Sequence, residues 1–148
     1  EAVKNNPDRT IEALRLTLGF LENEPSLNLP SLVRWWQKLT RLEMLARGMN
    51  ASDPNIKKLL IERLSILAAH GESTKNAALC LEAYRAILSN DPSNHMALNN
   101  LAYKLFENQG ANPEAIKLAE QAVKLAPAIS EYEKTRSEIQ DAIDAVSS

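Results

Sequence analysis

PSNHMALNNLAYKLFENQGANPEAIKLAEQAVKLAP, residues 92–127, is the stretch on which the reading of the chain turns. Leu98, Leu101, Ala102 and Leu105 are spaced 3-1-3, which keeps them on one face of a helix. Gly110 offers a stop with positive φ to that helix. Asn112 can cap the next one, with Pro113 at its first position. Ala115, Leu118, Ala119, Ala122 and Val123 then form a second inner face, and its small residues let two backbones approach closely. Two short amphipathic helices of this kind cannot bury their apolar faces alone, so the chain is expected to stack further pairs beside them.

The stretch resembles a tetratricopeptide (TPR) repeat, whose pattern places Trp-x2-Leu-Gly-x2-Tyr before Ala-x3-Phe, Ala and a closing Pro on a 34-residue period. Here Leu98, Leu101, Ala102 and Leu105 are followed by Ala115, Ala119, Ala122 and Pro127. Pro127 follows Pro92 by 35 positions, one over the period, and the extra residue falls in the Asn108–Asn112 turn. Leu stands for Trp, Ala for Gly, Leu for Tyr and Ala for Phe. The resemblance implies an all-α solenoid of helical hairpins and a non-catalytic scaffold that binds a protein or peptide along a concave groove.

Outward from this pair, seven helices are expected in one domain. Residues 1–7 repeat four of the seven positions of 121–127, including Ala-Val-Lys and Pro, and read as the tail of a preceding repeat in a longer protein. Residues 8–49 read as an irregular hairpin: a helix over 8–23 with two apolar rows, covered on both sides, a long loop at 25–30, and a helix over 31–49. The stripe Leu32, Trp35, Leu39, Leu42, Ala46 and Met49 is expected to be the buried seam of that second helix. Residues 54–91 form the next repeat: Asp53-Pro54 opens one helix, His70-Gly71 closes it, and Ser73 caps another over 74–90 that carries an extra turn. Residues 128–148 form a capping helix with Ile129, Tyr132, Ile139, Ile143 and Val146 on one side.

Composition narrows the function classes. With 17 basic and 19 acidic residues the formal charge is −2, against broad nucleic-acid or anionic-membrane binding. No apolar run approaches the roughly 18 residues of a membrane span. A single cysteine, Cys80, excludes an internal disulfide and reads as a small buried hydrophobe. His70 and His95 lack a companion ligand at helical metal-site spacing, and there is no glycine-rich phosphate loop. No catalytic group, cofactor or metal is therefore expected.

The candidate site is a surface. Met96, Asn99, Tyr103 and Phe106 form a row beside the core stripe of the first helix of the repeat, at positions that the resemblance implies line the concave groove. A thioether, an amide and two aromatic rings suit an extended peptide. For Phe106 and Met96, packing against the neighbouring pair is an equally physical reading. Aligning Pro54 with Pro92 puts Lys58, Ile61 and Ser65 on the same side, although Arg63 then stands where the pattern wants Leu. The same alignment turns Ile11, Leu14, Leu18 and Leu21 toward the groove, an open greasy row that calls either for a cover by a partner or the parent protein or for a different register on that helix. The basic row Arg34, Lys38 and Arg41 reads as a solvated face or as a seat for an acidic partner. Self-association, with the chain spacing or oligomerising its parent, is the alternative function.

Overall fold

The computed structural model describes residues 29–148 together with Leu16. Six helices follow one another: α1 (Leu29–Ala46), α2 (Pro54–Ser73), α3 (Ala77–Asn90), α4 (His95–Gln109), α5 (Pro113–Leu125) and α6 (Ser130–Ser147). No strand occurs among the described residues, so the fold there is all-α. The expected helix over 8–23, its groove-facing row and the tail at 1–7 lie outside the described residues. Leu16, expected to be covered, is exposed.

Local chemistry sets most helix starts. Asp53 accepts a hydrogen bond from the Asn55 N–H, Asn76 from Leu79, Asn94 from Ala97, and Asn112 from both Glu114 and Ala115. Each satisfies amides that have no partner within the helix. Pro54 and Pro113 occupy first-turn positions where a missing N–H does no harm. Gly110 ends α4 at φ 74° and ψ −150°. That is not the αL stop expected from the sequence, but a conformation that is essentially restricted to glycine.

Each helix packs on the next, and α1 on α3 and α4 on α6 also meet as next-but-one neighbours. One apolar cluster runs from Leu32, Val33 and Trp36 on α1 through Leu64, Leu67, Leu79, Ile87, Leu101 and Leu105 to Ile139 on α6. Ala83, Ala102, Ala115 and Ala119 are fully buried within it, the small residues at which helices come close. Leu98, Ala122 and Tyr132 make a second cluster under α6, and Met44, Ile56 and Leu60 a third between α1 and α2. On α6, Val146 is exposed, so the expected apolar side stops short of the helix end.

Three expectations about the first two pairs are corrected. On α1 the buried residues are Leu32, Val33, Trp36, Thr40 and Met44, while Trp35 is 52% exposed and Leu42 62%. The helix is turned by about one residue, roughly 100°, from the apolar stripe. Polar partners explain the turn. Arg63 donates from Nη1 to Thr40 Oγ1 at 3.1 Å and to Glu43 Oε2 at 2.6 Å, and Asn90 donates to Gln37 Oε1 at 2.8 Å. Arg63, out of pattern in the sequence, thus fastens α2 to α1. The second correction is Gly71, which does not stop a helix: α2 runs on to Ser73. The third follows from it. The extra residues lengthen α2 and form a turn through Lys75 at φ 55°, so α3 starts at Ala77 under an Asn76 cap and has no extra turn.

The Arg63–Glu43 pair gives a pH-dependent expectation. The hydrogen bond from Arg63 is the main reason that the Glu43 carboxyl lies below its ordinary 4.5. A carboxyl depressed on folding stabilises the protein above its unfolded pKa and loses that contribution as pH falls through its folded value. Glu43→Gln should cost about 1 kcal/mol at neutral pH, the lower range because the carboxylate is about a third exposed. Melting temperatures of the two proteins should converge between about pH 5 and about pH 3. A gap that stays constant over that range would mean that the pair contributes nothing.

Candidate functional site

The site grows out of a divergence. No Cα of α2 comes within 8 Å of one on α4, although both pack on α3. A cavity of about 580 Å³ opens between them. Ser65, Ala68, Ala69, Glu72 and Ser73 of α2 form one wall, Met96 and Asn100 of α4 the other, and Tyr84 of α3 also lines it. On the other flank of α4 a second cavity of about 300 Å³ is lined by Asn99, Asn100 and Tyr103, with Glu131, Lys134, Thr135 and Glu138 of α6. Asn100 belongs to both, so the two form one trough across α4.

Charges at the larger cavity are mutually satisfied. Lys104 bridges the walls, donating to Glu72 Oε2 at 2.8 Å and to Glu107 Oε2 at 2.9 Å. Burial pulls the Lys104 ammonium pKa down, but the hydrogen bonds to these two carboxylates outweigh it and leave it raised. Tyr84 donates to Glu72 Oε1 at 3.3 Å, and burial, helped by that carboxylate, pushes the phenol up to about 12. The smaller cavity is less settled. Asn99 Oδ1 is buried with no hydrogen-bond partner, and its amide nitrogen reaches Asn100 Oδ1 only at 3.4 Å. Closed to solvent and without a donor, the Asn99 acceptor costs the fold about 1–3 kcal/mol.

The residues singled out from the sequence divide. Met96 and Ser65 line the larger cavity, Asn99 and Tyr103 the smaller one. Phe106 packs against the main core, as does Ile61. Lys58 is exposed and lines neither cavity. Sequence reasoning misses Asn100 because it sits one step round the helix from Asn99, on the side of the groove row away from the core. Its pairing with Asn99 as consecutive amides is the signal that could have found it.

Other polar groups have structural partners. Cys80 is buried; its Sγ lies 3.6 Å from the Ala68 carbonyl oxygen, and burial, then Glu72, raise the thiol to about 11. His95 Nδ1 lies 2.8 Å from the Tyr132 hydroxyl and ties the start of α4 to α6. Arg34, Lys38 and Arg41 are exposed, with Arg41 donating to Asn90 Oδ1 at 3.2 Å. Among the described residues, no group of three or more His, Cys, Asp or Glu side chains could hold a metal ion, and no helix is long and apolar enough to cross a membrane.

No family model and no curated protein matches the chain. The character of the site therefore rests on its own geometry. It is an open, mixed polar and apolar trough, two cavities long, formed mainly by every second helix among the described residues.

Proposed function

We propose that this chain is a non-catalytic scaffold of TPR-like hairpins that holds a protein or peptide partner in the trough over α4. The observation that carries the reading is the shared lining: α2, α4 and α6 contribute to adjoining cavities, as alternate helices of a stacked hairpin array would. Tyr103, about two-fifths exposed, offers ring and hydroxyl together, and Asn99 and Asn100 can meet peptide N–H and C=O groups. The test is comparative capture. The immobilised chain should retain a set of proteins that is lost, roughly tenfold or more, when Asn99, Asn100 and Tyr103 are replaced by alanine. An unchanged retained set with a folded variant refutes the assignment.

A second reading, self-association, is favoured by one observation. Trp35, Leu39, Leu42 and Leu45 present an exposed apolar row on α1. Sedimentation should then show a concentration-dependent dimer that Trp35→Ser with Leu42→Ser returns to monomer. A wild-type monomer at every concentration removes this reading.

A further inference from the structure

We infer that the trough is built for an extended segment bearing an apolar side chain and, about three residues away, a basic one. The inference rests on the reading of the trough as the binding face and adds the chemistry of what it binds. In the larger cavity Glu72 is already matched by Lys104 and Tyr84, so what remains for a ligand is the surface of Ala68, Ala69 and Met96. That surface suits an aliphatic or aromatic side chain.

The smaller cavity asks for the opposite. Glu131 and Glu138 line it, and neither is in an ion pair with a described residue; Lys134 can offset only one of them. The two linings together carry three carboxylates, Glu72, Glu131 and Glu138, against the one ammonium of Lys134, and Lys104 answers only the first of them. A guanidinium or ammonium brings the N–H donors that these acceptors lack, whereas an acidic side chain meets like charge.

Spacing follows from the helix between the cavities. They flank α4, so their centres are separated by about one helix diameter, roughly 10 Å. An extended chain covers that distance in about three residues. Asn100 lies on both linings, where the intervening backbone would cross, and its amide can both donate to and accept from a peptide group.

The intact chain is to be immobilised and used to select from a displayed library of random peptides. Enriched peptides should pair an apolar with a basic residue about three positions apart and bind more weakly at raised salt. Their affinity should fall roughly tenfold on Glu131→Gln with Glu138→Gln, both exposed positions, with circular dichroism showing the variant folded. Enriched peptides that depend on Asn100 and Tyr103 but show no basic preference, or ignore the two glutamates, overturn the inference and leave the trough standing. If no selected peptide responds to substitution of Asn100 and Tyr103, both the inference and the binding-face reading fall.

Discussion

Leu101→Ala is expected to lower the free energy of unfolding by about 2–5 kcal/mol, read as a lower urea midpoint at unchanged slope. The side chain is 1% exposed and lies in the main cluster, which also holds Ala83, Ala102, Ala115 and Ala119. Its loss removes the transfer energy of the deleted carbons and leaves a void that buried alanines cannot fill by changing rotamer. Domains of this size are stable by only about 5–15 kcal/mol, so the variant should sit near the edge of folding. The contrasting variant is Leu42→Ala, equal in chemistry but exposed, for which a change within about 0.5 kcal/mol is expected. Equal losses for the two would mean that α1 is turned the other way, with Leu42 and not Trp36 against the core.

The second large effect is expected at Gly71. A Cβ there would lie 2.8 Å from Cys80 Sγ, 3.2 Å from the Cys80 amide nitrogen and 3.3 Å from the Asn76 carbonyl oxygen. Two of these atoms are backbone of the first turn of α3, joined by the Cys80 N–H to Asn76 hydrogen bond, so the turn must move as a unit. Helix propensity alone would favour alanine by about 1 kcal/mol. Overpacking opposes it by about 1–3 kcal/mol, and we expect the net sign to be destabilising because backbone yields less readily than a side-chain tip. Placing Gly71→Ala in a Cys80→Ala background removes the nearest atom and should recover part of the loss. A stabilising Gly71→Ala would show that α2 and α3 have room between them.

Gly71 also shows where sequence reading reaches its limit. A glycine after a histidine near a helix end has the signature of a stop, and the same residue serves equally well where another backbone passes close by. Only the partner, nine residues on, decides between the two. The pair α4–α5 was legible because its determinants are local: Asn94, Gly110, Asn112 and Pro113 act within a few residues of themselves. The face of α1 was not, because Arg63 and Asn90, which turn it, are 20 and 53 residues from their partners Glu43 and Gln37. Apolar periodicity on that helix marks a stripe correctly and says nothing about which side the polar anchors will claim.

The candidate site was legible to a similar depth. Helical spacing sets Met96, Asn99 and Tyr103 in one row beside the core stripe, the repeat resemblance points that row at a groove, and Phe106 takes the packing alternative. That α2 and α4 would stand apart, that Asn100 would serve both cavities, and that α6 would bring glutamates to the second one all depend on how successive pairs are set against each other. No single helix encodes that offset.

The bridge from Lys104 to Glu72 has a mechanical consequence. The two walls it joins share no backbone contact, so the opening between them behaves like the jaws of a calliper, set by a flexible aliphatic stem and a charged tip. Under the proposed binding role, an occupant that parts the jaws displaces side chains first, up to the limit that packing on α3 and the shared core set. Specificity would then reside in the charges along the rim, and size would be the forgiving dimension.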